Sequence, residues 1–342
     1  MIYSGLDLHA KSSTFCLVTA RGRRLGEGEV TSSRRGFAEM IELCEGQKLR
    51  VVVEASTRSR WAAEVLEGLG AEVVIVDPRK IRVIAETKHK TDRMDARILA
   101  DLLRTRALPQ ALWRAPRETR ELRDQVRLRW GLVRERANLM LRARSMLGSI
   151  GINLGKRALA SETTWEKLLK RKEIPEYMKQ LLEIMRHSII QLGDAIEKVE
   201  EQAAPRLQDP SVIRMQQIPG VGPVVALTTV ASLGDPSRFK DSRVAAAYTG
   251  LIPTEHSSGE RVRRGHISKR GPSELRRVWI QAAHAALRMR EHPLKAWTNR
   301  LIYRRGRAVA VVALARRMFR WAFAIWRDDS YFNPRLANQA SR

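Results

Sequence analysis

Cysteine is nearly absent from this chain of 342 residues. Cys16 and Cys44 lack the spacing of a metal site, which argues against zinc, and they suit buried thiols of a reducing compartment. Long apolar runs are missing as well. No stretch of about 18 apolar residues occurs, so no membrane-spanning helix is expected. No secretory signal is expected either, because the N-terminus opens straight into a strand pattern. A cytoplasmic protein is the expectation.

Acidic residues are the third scarcity. The chain holds 37 Asp and Glu against 63 Lys and Arg, a formal net charge of +26. The imbalance is uneven. Residues 1–100 carry 17 basic and 14 acidic residues, whereas residues 101–342 carry 46 and 23. The first hundred residues are near neutral and the rest are strongly cationic. Such a surface favours a polyanionic partner through counterion release, and nucleic acid is the first candidate. An anionic membrane is the second, and the missing apolar run speaks against it. Length and a 44% apolar content allow two or three domains with sizeable cores.

What is present is strongly patterned at the start. Ile2–Leu8, Thr14–Thr19 and Gly26–Val30 are strand candidates, with a hairpin turn at Arg21-Gly22-Arg23. Gly36–Cys44 has helical periodicity. Arg50–Glu54 (RVVVE) is a buried strand, Trp61–Leu69 a helix, and Glu72–Val76 (EVVIV) a strand stopped by Asp77-Pro78. His89–Ala100 leads into a helix that runs to about Arg106. Three antiparallel strands followed by parallel units predict a mixed α/β sheet over residues 1–110.

Four acids fall at telling places. Asp7 ends the first strand and Glu54 the fourth. Asp92 and Asp95, three apart, share one face at the start of a helix. In an open α/β sheet, strand ends and helix starts meet along one edge. Carboxylates gathered there repel one another unless cations neutralise them, and hard divalent ions take such oxygen ligands. Two ions about 3.5–4 Å apart can clamp an in-line phosphoryl displacement. Each acid also has an ordinary reading as a turn or helix cap.

After Pro109 and Pro116 the texture changes. Arg117–Ile150 and Glu176–Ala203 are long helical stretches with a looser zone between, so residues 111–206 predict an antiparallel hairpin or coiled coil with a role in assembly. Residues 207–330 predict an all-helical domain, and 331–342 a tail. Ile218–Ala226 (IPGVGPVVA) places Gly220 and Gly222 between two helical patterns, like the turn of a helix-hairpin-helix element whose backbone N–H groups suit a phosphate. Phe239–Tyr248, Glu274–Met289 and Arg304–Ile325 predict helices. Trp279, Trp297, Trp321 and Trp326 occupy apolar helical positions and predict core.

The densest cationic stretch is Ala247–Arg277. A Ser257-Ser258-Gly259 turn is surrounded there by seven Arg and Lys against three Glu. A hydroxyl among cations suits a nucleophile aimed at phosphate, and equally a loop that only grips DNA. Free serine needs activation, and no His–Asp pair is set up nearby. His256 and His266 are possible helpers, and Arg261, Arg263, Arg264, Lys269 and Arg270 are candidate phosphate ligands.

GLDLH around Asp7, VVVEAS around Glu54, and KTDRMDA at Lys90–Ala96, followed by IPGVG, GLIP, SSG and GHISKRG, together resemble the IS110/IS1111 family of transposases over nearly the whole chain. Two departures are Ser56-Thr57 after Glu54-Ala55 and Pro272 after Gly271. The resemblance implies an N-terminal RuvC-like (RNase H fold) domain with a DEDD set formed by Asp7, Glu54, Asp92 and Asp95. It implies Mg²⁺ or Mn²⁺ on those acids and a C-terminal transposase domain whose nucleophile is Ser258, relatives being variable at the position of Ser257. It further implies donor and target double-stranded DNA, a structured non-coding guide RNA, a phosphoserine intermediate, and a dimer or tetramer in which the two domain types face each other across subunits. The alternatives are a RuvC-like nuclease that uses water and a non-catalytic nucleic-acid-binding protein. The four acids of an otherwise neutral domain argue against the latter.

Overall fold

Strand β1, Ile2–Leu8, is the centre of a five-stranded sheet. The structure is a computed structural model that describes residues 1–84, 91–155, 157–258 and 261–335. The side chains of 82–84, 255–258 and 261–264 lie outside the described residues. The chain divides into two compact units, Met1–Arg114 and Ala115–Arg342.

In the first unit β2 (Ser12–Thr19) and β3 (Arg24–Thr31) form an antiparallel meander with β1. Helix α1 (Arg34–Glu42) leads to β4 (Leu49–Glu54), which pairs parallel to β1. Helix α2 (Ser59–Glu67) leads to β5 (Glu72–Val76), parallel to β4. The spatial order is β3-β2-β1-β4-β5. Helices α3 (Pro78–Ile84) and α4 (Asp92–Arg104) complete the unit.

Side chains alternate across a strand, and here both faces are apolar. Ile2, Leu6, Phe15, Leu17, Val51 and Val53 pack with Phe37 and Met40 of α1 and Ala62 and Leu66 of α2. The alternate residues Val52 and Val76 pack with Leu99 and Leu103 of α4, and Cys16 and Val18 with Ala96 and Ala100. Cys16 and Cys44 are buried free thiols, as their spacing implied.

The second unit opens with α5 (Arg117–Ser149), which runs antiparallel to α7 (Glu176–Ala203) with α6 (Glu162–Leu169) at the far end. Arg129 Nε meets Glu200 Oε1 at 2.6 Å near one end, and Leu147 packs with Met178 and Leu182 near the other. Then come α8 (Pro210–Met215), α9 (Pro223–Leu233) and α10 (Ser242–Tyr248). The hairpin of β6 (Pro253–Ser258) and β7 (Arg261–Ile267) follows, and α11 (Ser273–Arg288), α12 (Lys295–Arg305) and α13 (Arg307–Arg327) close the unit. Trp279 is fully buried at its centre, edge-on to Phe319 at 5.5 Å, and its indole Nε1 donates to Thr229 Oγ1 at 3.1 Å.

The structure departs from the sequence reading in the second unit. The cationic stretch read as a loop is a two-stranded hairpin. The helix read from Phe239 starts at Ser242. Asp235 accepts from Ser237 N and opens one short turn, Pro236–Arg238, and Asp241 accepts from Arg243 N and Val244 N and caps α10 separately. Helix α12 is marked in the sequence only by the helical position of Trp297, and α3 follows directly on the Asp77-Pro78 strand stop.

Candidate active site

Alternation along β1 puts Tyr3, Gly5 and Asp7 on one face, the face that α4 covers. The approach there is very close. A Cβ on Gly5 would stand 2.0 Å from Ala96 O and 2.6 Å from Leu99 Cβ, so only glycine lets α4 seat. Asp92 and Asp95 stand one helical turn before Ala96 and Leu99, and Asp7 stands two residues beyond Gly5. The packing that seats Ala96 and Leu99 on Gly5 therefore carries both acids of the first helical turn to the end of β1. Thr91 accepts from Met94 N at 3.3 Å and fixes where that turn begins. Carboxylates are favoured at that end of a helix.

His9 completes the group. Its Nε2 is 3.2 Å from Asp7 Oδ2 and 3.6 Å from Asp92 Oδ2. Donor atoms of Asp7, His9 and Asp92 all lie within 4.8 Å of one another. Burial pushes the Asp7 carboxyl above its usual range. His9 opposes that rise, and the charges of Asp92 and Asp95 add to it. An anion whose ionised form is disfavoured by burial and by two neighbouring carboxylates is a place where a cation is welcome. Two carboxylates and an imidazole are a fitting donor set for a divalent ion.

Of the four acids expected here, Asp7 and Asp92 lie in this cluster. Asp95 is close enough to act on the Asp7 charge. Glu54 is two residues beyond Val52, on the same face, and stands one step beyond the Leu6–Val53 pairing of β1 with β4. Glu54 and Asp95 are not members of the three-residue group. His9 was missed by sequence reasoning. The available signal was its spacing of two from Asp7, which continues the strand alternation onto the same face.

In the second unit Ser258 ends β6 and is the cross-strand partner of Arg261, the first residue of β7. Arg263 pairs with His256 and Arg264 with Glu255. The side chains of Ser258, Arg261, Arg263 and Arg264 lie outside the described residues. Lys269 and Arg270 follow β7 as exposed residues, and Lys269 takes a φ of 53°. Gly220 has a packing role. Its φ is 91°, and a Cβ there would stand 2.8 Å from Ala282 O of α11. Gly222 is the N-cap of α9, and a Cβ there would meet open space.

Comparison with known proteins decides the family. Residues 213–298 match the profile described as transposase IS116/IS110/IS902 family, and residues 4–152 match a DEDD-type IS110 profile described as transposase. The chain is 30% identical over 271 residues to the transposase for insertion sequence element IS1111A of Coxiella burnetii, which covers 78% of this chain and 74% of that protein. The chain belongs to the IS110 family of transposases. A probable family 20 transposase of Pseudomonas aeruginosa is 28% identical over 83% of this chain and 86% of its own. The IS1328 transposase of Yersinia enterocolitica is 27% identical over 83% and 85%. The transposase has a mixed α/β N-terminal sheet consistent with an RNase H-like DEDD domain, and a helical C-terminal region. Its substrate is DNA, and its DEDD domain points to divalent-metal use, for which Asp7, His9 and Asp92 are a candidate site. Among the described residues no helix is long and apolar enough to cross a membrane.

Proposed function

We propose that this transposase cuts and rejoins the DNA of its insertion sequence through a phosphoserine intermediate on Ser258, with divalent metal held by Asp7, Glu54, Asp92 and Asp95. The observation that carries the metal half is the convergence of Asp7, His9 and Asp92. Mg²⁺ or Mn²⁺ bound there supplies charge neutralisation to phosphodiester oxygens. His9, the one nitrogen donor of the group, joins the acids as a ligand.

Ser258 Oγ attacks the scissile phosphorus. The P–O bond to one deoxyribose oxygen breaks, that oxygen takes up a proton, and the serine proton is released. Rejoining reverses these steps on a different strand end. Arg261, Arg263, Arg264, Lys269 and Arg270 hold the phosphate and offset its growing charge. Support comes from the position of Ser258 at the tip of a hairpin whose second strand opens Arg-Val-Arg-Arg.

The finer partners follow the same reading. Gly222 and the start of α9 contact a DNA phosphate as part of a helix-hairpin-helix element. A guide RNA pairs with donor and target DNA, in keeping with the cationic 101–342 segment. Subunits associate through the 111–206 arm. Tyr177, Leu181 and Ile184 of α7 form an exposed apolar stripe at 62%, 44% and 64% exposure, which suits such an association.

The test is strand cleavage of a DNA carrying the element's ends. Cleavage is expected to require Mg²⁺ or Mn²⁺ and to be lost in Asp92→Asn, while DNA binding persists. Full cleavage in EDTA would overturn the metal assignment.

A further inference from the structure

The second unit holds a cavity whose lining, Lys269 apart, none of these roles uses. It lies between α10, the base of the β6–β7 hairpin, α12 and α13, with a volume of about 960 Å³. That is the size of a small-molecule site. Its charge is one-sided among the described residues. Lys269, Arg316, Arg317 and Arg320 line it, and no Asp or Glu does among the described residues.

The cations are also positioned. Arg320 stands four residues after Arg316 and three after Arg317 on α13, so it neighbours both, and all three line the same cavity. Arg320 is fixed through its Nε, which donates to Ser242 Oγ at 3.1 Å. Arg317 lies over the Trp297 ring at 5.0 Å. Such stacking holds a guanidinium in one orientation and lowers the entropy lost when it meets an anion. Burial lowers the basicity of Arg317, and the charge of Arg320 lowers it further. Both effects are relieved by an anion.

Apart from Ser242 and His266, the remaining wall is apolar. Leu251, Val309, Val312 and the half-buried Trp321 form it. A bare phosphate or a duplex backbone would meet the arginines and leave that wall against water. Bases inside a duplex are stacked and cannot reach it. An unpaired nucleotide presents an anionic phosphate and a flat apolar base together. Sites for single strands combine these same two elements.

We infer that this cavity takes an unpaired nucleotide of a nucleic-acid strand, its phosphate on Arg316, Arg317 and Arg320 and its base against the apolar wall. The cavity is at the base of the hairpin, where Pro253 pairs with Ile267, and Ser258 is at its tip. Five residues of strand separate the two, about 17 Å. The nucleotide held is thus a few positions away from a phosphate at Ser258. That last relation rests on the function proposed above, whereas occupancy of the cavity does not.

The test is binding by the full chain in EDTA, so that it does not depend on cleavage. Labelled oligothymidylate, the matching oligouridylate and a duplex of equal length are compared by fluorescence anisotropy over a range of salt. In Arg317→Gln/Arg320→Gln, single-strand affinity is expected to fall at least ~10-fold and its log–log salt slope to shrink by about one to two. Duplex affinity should change much less. The tighter of the DNA and RNA strands identifies which one supplies the nucleotide. Photocrosslinking of the unaltered protein with 5-iodouracil in the strand should label Trp297 or Trp321, which needs no variant to fold. Unchanged single-strand binding, an equal loss for duplex and single strand, or crosslinks only outside the cavity would each overturn the inference. The serine and metal assignments would stand in any of those cases.

Discussion

His9 Nε2 stands 3.2 Å from Asp7 Oδ2. The same nitrogen is 3.6 Å from Asp92 Oδ2, so one imidazole joins the end of a strand to the start of a helix. Asp7→Asn or Asp92→Asn should weaken Mn²⁺ binding by at least ~10-fold, and His9→Ala should weaken it as well, on the scale known for groups around a metal. Isothermal titration with Mn²⁺ measures this. Binding unchanged in all three variants would remove the cluster as a metal site.

The Asp7 carboxyl gives a pH prediction with a definite sign. Its pKa is raised in the folded state, first by burial. Between the ordinary carboxylate value and the raised one the folded state binds more protons than the unfolded state, so stability falls as pH rises through that window. Asp7→Asn should therefore melt higher than the parent at neutral pH without divalent metal. The difference should vanish below the ordinary carboxylate range. Added Mn²⁺ should raise the melting temperature of the parent and leave that of the variant nearly unmoved.

Gly5→Ala tests whether the seating of α4 builds the site. The new Cβ would stand 2.0 Å from the Ala96 carbonyl oxygen, and a backbone atom cannot swing aside as a flexible side chain can. Overpacking of this kind costs about 1–3 kcal/mol or more. The variant is expected to lose melting temperature and Mn²⁺ affinity together, although residue 5 bears no ligand. Lost stability with intact Mn²⁺ affinity would separate the packing from the site.

In the second unit, Thr229→Val keeps the shape of the side chain and removes the acceptor of the Trp279 indole. The Nε1–H is then buried without a partner, at about 1–3 kcal/mol. Thermal unfolding should shift down by about 2–4 °C per kcal/mol for a unit of this size. Trp279→Phe in the same background should recover part of the loss, because it removes the orphaned donor.

Much of the first unit could be read directly from sequence. Arg50–Glu54 and Glu72–Val76 are β-branched runs bounded by turn residues, and both are strands of the predicted type. Asp92 and Asp95 could be placed on one helix face by their spacing alone. His9 could not be assigned, because its role depends on which face of β1 meets α4, and that choice is made by the missing side chain of Gly5. The β6–β7 hairpin was hidden for a different reason. Arg261–Ile267 contains three arginines and a glycine in seven residues, so charge masks the alternation that marks a strand. The tryptophans divide likewise. Trp279 is core as its position implied, and Trp297 and Trp321 pack against that core while also lining the cationic cavity of the second unit, which only the three-dimensional arrangement of α10, α12 and α13 creates.

The central claim is that Ser258 becomes covalently joined to DNA. The direct measurement is peptide mapping by mass spectrometry after incubation with element-end DNA and Mg²⁺, followed by nuclease digestion. A nucleotide adduct on Ser258, absent from Ser258→Ala and retained in Ser257→Ala, is the predicted result. DNA cleaved normally by Ser258→Ala with no adduct on any serine would contradict the account and leave water as the nucleophile.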